Sequence, residues 1–367
     1  MLESSVMLES SLPETATVQE ARLAVVDCPV CGSAHAAPLQ AAVDRWMGGP
    51  GVFAYALCLD CGLTYLRTRP TAAAMGAYYP PGYLRRGRGL ERVRQWVRGR
   101  DWSPRVRLVR RLAGRGGRIL DVGCATGDFL VAARGADLVP AGVEPAPWAA
   151  REAGARGLPV WQAGLAEAPL PLAAFDVVCL WDVIEHLDAP VEALGAARAA
   201  LRPGGYLVAS TPVLDGWEAR AFGHAWPGWD TPRHLQVFSR ASLAAVLRRT
   251  GYRVEGWSWL QESWLITALT LTLAARERLP APLAEGVRMV LHQRLLREVL
   301  RPIFRWLDAA LRGCAITVVA RRVEEDSGWE GGAARRGDRA NAAVADVTAA
   351  WDVQRSDATN VEAPPCA

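Results

Sequence analysis

The stretch Arg118-Ile-Leu-Asp-Val-Gly-Cys-Ala-Thr-Gly-Asp-Phe-Leu130 decides how this chain is organised. A short apolar run, Ile119-Leu120, passes through Asp121-Val122 into Gly123-Cys124-Ala125-Thr126-Gly127, and an apolar run suited to a helix follows. A strand feeding a glycine turn lets backbone come close to a ligand, and the next helix offers unpaired N–H groups. Taken alone, such a turn is shared by many nucleotide-binding crossovers. The spacing downstream sharpens it. A second strand, Val139-Pro-Ala-Gly-Val143, ends in Glu144, about 20 residues after the glycines, where a carboxylate can hold two ribose hydroxyls.

Two more segments follow in order, Phe175-Asp-Val-Val-Cys-Leu-Trp-Asp-Val-Ile-Glu-His-Leu187 and Leu201-Arg-Pro-Gly-Gly-Tyr-Leu-Val208. With Asp121–Gly127 and Val143-Glu144-Pro145 they resemble the successive motifs of the class I S-adenosylmethionine-dependent methyltransferases. The likeness covers roughly residues 105–256, with a last strand near 314–321. It implies an α/β fold with a Rossmann-like seven-stranded class I methyltransferase sheet, and S-adenosylmethionine as cofactor. The cofactor residues it implies are Asp121, Gly123, Cys124, Ala125, Gly127, Glu144, Pro145, Leu165, Trp181 and Asp182. Gly123 and Gly127 are expected to make room for the methionine part of the cofactor. The family often has glycine where Ala125 stands and aspartate where Leu165 stands, in the adenine-binding turn. Cys124 reads as a small buried residue rather than a nucleophile.

Upstream, Cys28-Pro-Val-Cys31-Gly32 and Cys58-Leu-Asp-Cys61-Gly62 form two matching knuckles. Each places two thiolates on one side of a turn, and two such turns close a tetrahedral Zn²⁺ site. Paired Cys-x-x-Cys motifs outside a thioredoxin-like context favour metal over redox chemistry. A closed four-thiolate site has no open position for substrate, so the zinc is read as structural, in a small zinc-ribbon-like module. His35 reads as a surface residue. The segment from Gly62 to Pro70 and then Tyr78-Tyr79-Pro-Pro-Gly-Tyr83 resembles bacterial methyltransferases with an N-terminal zinc module, some acting on sugars or other small metabolites. Tyr78, Tyr79 and Tyr83 could line the acceptor site or simply pack onto the main domain.

The expected organisation is a disordered leader at 1–26, the zinc module at 27–70 and an arginine-rich helical linker at 71–112. The methyltransferase domain spans 113–322 and a disordered tail 323–367. All 42 basic residues are arginine, which we attribute to codon bias, and the formal net charge is only +4. No secretory signal is visible and the longest uncharged run of the C-terminal half, Ser263 to Ala275, is shorter than the ~20 residues a membrane span requires. The expectation is a cytoplasmic protein, peripheral on the membrane if anything. The arginines of residues 85–118 suit either an anionic partner or a solvated helix face.

Within the domain, Glu185-His186 admits three readings. It can orient the local backbone; His186 can serve as general base; or Asp182, Glu185 and His186 can hold a divalent ion, as in some similar quinone-ring O-methyltransferases. A Trp-, Gly- and Pro-rich segment from Pro212 to Phe238 follows strand five, and such a segment over a strand end usually shapes a site. It carries His234, the second candidate base. Ser239 is expected to cap a helix over Arg240–Thr250. Residues 261–313 are an insertion between the last two strands. Val287, Leu291, Leu295, Val299, Ile303 and Leu307 fall one helical turn apart with arginines off the stripe, and Pro302 is expected to kink or restart the helix. Such a face suits an anionic membrane, a dimer contact or packing on the domain.

The functional expectation is methyl transfer, to oxygen before carbon or nitrogen, on a small-molecule, glycan or lipid acceptor, with His186 and His234 catalytic. Nucleic acid is not the expected partner. The rivals are an RNA methyltransferase, which some zinc-module relatives are, and a non-catalytic scaffold that keeps the zinc and cofactor sites.

Overall fold

The computed structural model describes residues 23–79, 91–260 and 263–323. The leader's first 22 residues, Tyr83 with the arginines at 85–88, and the tail beyond 323 lie outside the described residues.

The chain begins with β1 (Leu23–Val25), β2 (Ala36–Ala42), β3 (Phe53–Cys58) and β4 (Thr64–Pro70), an antiparallel sheet in the order β1-β4-β3-β2. Helix α1 (Glu91–Ala113) leads into β5 (Arg118–Val122), α2 (Asp128–Arg134), β6 (Val139–Val143), α3 (Pro147–Ala155) and β7 (Val160–Trp161). Then come β8 (Phe175–Trp181), α4 (Pro190–Ala200), β9 (Leu201–Pro212), α5 (Trp217–Phe222), β10 (Gln236–Val237), α6 (Arg240–Arg249) and β11 (Tyr252–Ser258). Three helices, α7 (Ser263–Arg278), α8 (Ala281–Leu291) and α9 (Arg294–Leu311), precede the last strand β12 (Ala315–Arg322).

The second sheet has seven strands in the order β11-β12-β9-β8-β5-β6-β7. β7, β6, β5, β8 and β9 are parallel, while β12 runs antiparallel to both β9 and β11. Alternation along β8 explains the layering. Val177, Cys179 and Trp181 face the core formed with Leu108 and Leu112 of α1 and Phe129 and Leu130 of α2. Val178 and Leu180 face Leu194 of α4 and Leu243 and Leu247 of α6. Strands buried on both faces read as continuous apolar runs, as β8 does.

Chain order reverses at β5, which pairs with β6 on one side and β8 on the other. Ligands of open α/β sheets bind outside the carboxyl ends at such a switch point. Val122 lies level with Val143 and with Leu180, so Gly123 and Glu144, which follow their strands, and Trp181, the last residue of β8, emerge side by side at one edge.

The N-terminal sheet is joined to the domain rather than tethered to it. β10 pairs with β4 through Gln236 and Val237 against Tyr65 and Thr64. Phe53, Tyr55 and Leu66 share a core with Trp226, Leu235, Val237 and Cys314. Ser239 caps α6, accepting from Ser242 N at 3.1 Å in a reciprocal capping box. The 261–313 insertion departs from its expected break point. α9 runs unbroken through Pro302, and the restart falls instead at His292-Gln293, between α8 and α9.

Candidate functional site

The loop after β5 is shaped by left-handed backbone. Gly123, Ala125 and Gly127 have φ of +67°, +47° and +82°. A β-carbon on Gly123 would come within 2.8 Å of Val183, and one on Gly127 within 2.4 Å of Leu158. Both glycines therefore serve close packing of the protein on itself as well as the turn. Ala125 adopts a conformation that suits glycine better, which is the physical reason a glycine is common at this position.

Glu144, at the end of β6, is buried and ties this loop to the next crossover. Its carboxylate accepts from Ala125 N at 2.9 Å and from Ala146 N at 2.8 Å. Burial pushes its pKa up, and the two amides pull against that. Remaining lone pairs on both oxygens suit hydroxyl donors. Asp121, fully enclosed inside β5, is held well above the usual carboxylate range by burial, with Arg105 opposing. Cys124 is buried, and burial pushes its thiol pKa up. Leu165 lies in the main core and Pro145 sits exposed at the rim.

Arg105 was not foreseen from the sequence. It rises from α1 and stacks between Trp102 and Trp181, 4.8 and 4.9 Å from the ring centroids. It also donates to Asp182 Oδ2 at 3.2 Å, while Ser210 Oγ donates to Asp182 Oδ1 at 2.9 Å. Asp182 itself has φ +57°. Among the described residues, the buried indole N–H groups of Trp102 and Trp181 find no hydrogen-bond partner. Nothing in an arginine-crowded sequence distinguishes Arg105 from its neighbours; only its place in the fold does.

Beside this edge, His186 and His234 meet with ring centroids 4.7 Å apart. Two segments are laced together to bring this about. Leu235 N donates to Glu185 O at 2.8 Å, and the buried Gln236 amide donates to the carbonyls of Ile184 and Leu187. His186 Nδ1 lies 2.9 Å from Arg233 O and 3.2 Å from Tyr79 Oη, and His234 Nδ1 lies 2.7 Å from Gly228 O. Carbonyl partners fix a proton on Nδ1 and leave Nε2 as the acceptor. Burial, reinforced by His234, lowers the His186 pKa to about 4.

The ligand atoms of Glu185, His186 and His234 lie within 4.8 Å of one another. Asp182 is not among them, being engaged with Arg105 and Ser210. Glu185 is buried, its carboxyl raised well above the usual range by burial and by Asp182, and one of its oxygens finds no hydrogen-bond partner among the described residues. Of the tyrosines, Tyr79 joins the histidines, whereas Tyr78 packs edge-on against Phe53 and donates to Pro50 O.

A buried ion triad supports the histidine loop from the N-terminal sheet. Arg233 is wholly enclosed, donates to both oxygens of Asp44 at 2.9 and 2.8 Å, and reaches Asp230 Oδ1 at 2.7 Å. Burial works to raise the Asp230 carboxyl, but His234 and Arg233 outweigh it and hold it below its ordinary value. Tyr55 Oη lies 2.6 Å from Trp229 O and 2.9 Å from His234 O.

The four cysteines of the knuckles converge, with Cys28–Cys61 and Cys31–Cys58 sulfurs each 3.5 Å apart and all four within 4.8 Å. The turns are duplicates. Gly32 N donates to Cys28 O at 2.8 Å and Gly62 N to Cys58 O at 3.0 Å, and the two glycines have φ of +74° and +72°. Four thiols at this separation match tetrahedral coordination with Zn–S bonds of about 2.3 Å. His35 is exposed and faces Asp60 instead.

A parallel sheet with an antiparallel last hairpin, a glycine loop and an acidic residue closing the second strand define a Rossmann-like, cofactor-binding α/β domain of methyltransferase build. Residues 94–255 match the family described as "Methyltransferase domain". A probable S-adenosylmethionine-dependent methyltransferase of Mycolicibacterium smegmatis is 32% identical over 46% of this chain and 63% of its own. A tRNA U34 carboxymethyltransferase of Azotobacter vinelandii is 38% identical over 32% of this chain and 39% of its own. Among solved structures, an S-adenosylmethionine-dependent methyltransferase from Archaeoglobus fulgidus is similar at 17% identity over 62% of this chain and 94% of its own, with a TM-score of 0.42. The chain spans about two fifths to just under two thirds of the length of these two curated relatives. Residues 94–255 are thus a methyltransferase domain, similar to that of S-adenosylmethionine-dependent methyltransferases. Among the described residues, no helix is long and apolar enough to cross a membrane.

Proposed function

We propose that the chain transfers the methyl group of S-adenosylmethionine to an oxygen of a small metabolite, glycan or lipid-linked acceptor. In this reading Cys28, Cys31, Cys58 and Cys61 hold a structural zinc ion. The observation that carries the acceptor chemistry is the meeting of His186 and His234 beside the carboxyl edge of β5, β6 and β8. When bound, S-adenosylmethionine supplies a methyl group already activated on a positively charged sulfur. Glu144 would take the ribose hydroxyls, and the loop from Gly123 to Gly127 would seat the methionine part. What is left for the protein is to align the acceptor and receive its proton.

An alcohol or phenol must lose a proton as the new C–O bond forms. A neutral imidazole with Nδ1 bound to a carbonyl receives that proton on Nε2. His186, whose pKa burial lowers to about 4, remains neutral throughout the physiological range, and the His234 ring is oriented through Nδ1 by Gly228 O. Tyr79, which touches His186, orients that ring.

The test is methyl transfer from isotope-labelled S-adenosylmethionine into separated small-molecule, lipid and RNA extracts, with wild-type protein and with His186→Ala and His234→Ala. We expect label in a small-molecule or lipid fraction as a base-stable ether, lost in both variants. Label confined to RNA would overturn the assignment and favour a second reading, RNA modification, which draws its support from the tRNA U34 carboxymethyltransferase relatives. Folded wild type that binds S-adenosylmethionine but labels none of the fractions would favour a non-catalytic scaffold.

A further inference from the structure

We infer that Asp44 is a positioning residue: acting through Arg233, it selects the tautomer of His186 that leaves Nε2 able to receive a proton. The inference rests on the reading of His186 as the acceptor base, and it places part of that base's control in the N-terminal sheet.

His186 Nδ1 has two neighbours of opposite capability. Arg233 O, 2.9 Å away, can only accept, so it demands a proton on Nδ1. Tyr79 Oη, 3.2 Å away, can donate as well as accept. A hydroxyl that donates to Nδ1 sends the ring proton to Nε2, and a neutral imidazole protonated there cannot take a proton at that atom. The carbonyl prevails while it is held at the shorter distance. Whatever holds the backbone of Arg233 in place therefore decides the tautomer.

The side chain of Arg233 is the anchor. Its guanidinium donates to Asp44 Oδ2 and Oδ1 at 2.9 and 2.8 Å, to Asp230 Oδ1 at 3.0 and 2.7 Å, and to Tyr78 O at 3.2 Å. These partners are not equivalent. Asp230 belongs to the same turn, its carbonyl accepting from Arg233 N and His234 N, so it moves with the histidine loop. Tyr78 is bonded to Tyr79 and moves with the competing hydroxyl. Asp44 is the outside reference. It follows β2, and its carboxylate is fixed by its own loop: Oδ1 accepts from Trp46 N and Met47 N at 3.1 and 2.9 Å, and Oδ2 from Gly49 N at 3.3 Å. Gly49 is pressed so close that a β-carbon there would come within 2.9 Å of Asp44 Oδ2. A two-pronged pair with neither side chain exposed fixes rotation as well as distance, which a single hydrogen bond does not. With that fork weakened, the turn can swing, Arg233 O recedes from His186, and Tyr79 gains Nδ1.

The test reads the imidazole tautomers by long-range proton–nitrogen NMR on the full chain, which has five histidines, at pH 7, where His186 is neutral. Asp44→Asn keeps the size of the side chain but turns an N–H₂ toward one prong of the fork. Tyr79→Phe removes the competing donor. We expect the proton on Nδ1 of His186 in wild type and in Tyr79→Phe, a shift of most of the population to Nε2 in Asp44→Asn, and a return to Nδ1 in Asp44→Asn/Tyr79→Phe. S-adenosylmethionine affinity should be unchanged by Asp44→Asn. The return separates positioning from general loosening, because a merely slack loop would not be corrected by removing one hydroxyl. If Asp44→Asn does not fold, Arg233→Lys, which keeps the charge and loses the fork, is compared with Arg233→Lys/Tyr79→Phe instead. A wild-type proton on Nε2, a tautomer untouched by the folded variant, or a shift that Tyr79→Phe fails to reverse would each overturn the inference. No acceptor enters the measurement, so its failure is separate from that of the labelled methyl-transfer assay. The expected pattern in a protein that transfers no methyl group would support the coupling and overturn the base reading alone.

Discussion

Arg233 and Asp44 lie 189 residues apart and form a two-pronged ion pair with no exposure to solvent. The pair joins the N-terminal sheet to the loop that presents His234, and the carbonyl of Arg233 orients His186. A buried charge left without its partner is costly, about 3–5 kcal/mol. Asp44→Ala and Arg233→Ala are each expected to destabilise the protein on that scale. In a double-mutant cycle by chemical denaturation, the combined loss should fall well below the sum, because Arg233→Ala strands both Asp44 and Asp230 whereas the double variant strands Asp230 alone. Additive losses would show that the two side chains act separately.

Glu144 links the cofactor loop to β6 through Ala125 N and Ala146 N. Glu144→Ala removes a charged acceptor worth about 1.5–3 kcal/mol per hydrogen bond. We expect calorimetry to show S-adenosylmethionine affinity falling by roughly ten- to a hundredfold, with the fold retained. Unchanged affinity would refute the ribose assignment.

His186 releases its proton near pH 4 in the folded protein, against about 6.5 for an unperturbed histidine. The unfolded chain therefore binds this proton first as pH falls, so this group's contribution to stability declines between about 6.5 and 4. The catalytic consequence runs the same way. A base that remains neutral below pH 6 should keep kcat/KM level to about pH 5, once an acceptor is in hand and unfolding is controlled for. An NMR titration that places the His186 ring near 6.5 in the folded protein would contradict the environment described for it.

Ala125 sits at φ +47°, where an L-residue carries a steric cost of about 1–2 kcal/mol that glycine avoids. Glycine's greater freedom in the unfolded chain offsets part of this. Ala125→Gly is expected to raise the melting temperature slightly without weakening cofactor binding. A lower melting temperature would mean that the methyl group makes packing contacts that outweigh the backbone relief.

Cys28→Ser should lose zinc and loosen the N-terminal sheet, and through Asp44 and Tyr55 it should also disturb the histidine loop. Elemental analysis gives the first readout and thermal melting the second. Full zinc content in that variant would sink the four-thiolate assignment, and chelator treatment of wild type should reproduce the instability.

Features that depend on a few neighbouring residues were legible in the sequence. The strand-turn-helix around Gly123, Glu144 at the end of the next strand, the two knuckles and the Ser239 cap each follow from short-range geometry that the residue types impose. They determine the class of fold, the cofactor edge and the cysteine cluster. The tertiary structure alone decided which of 42 arginines matter. Arg105 is singled out by the two indoles on either side of it, and Arg233 by complete burial against Asp44. It also brought His186, His234 and Tyr79 together from three separate segments, and left Asp182 paired with Arg105 instead. Helical periodicity marked the insertion as amphipathic but did not tell its inner face from its outer one. Sequence spacing records which residues share a helix face; which face meets a neighbour depends on the packing of elements far apart in the chain.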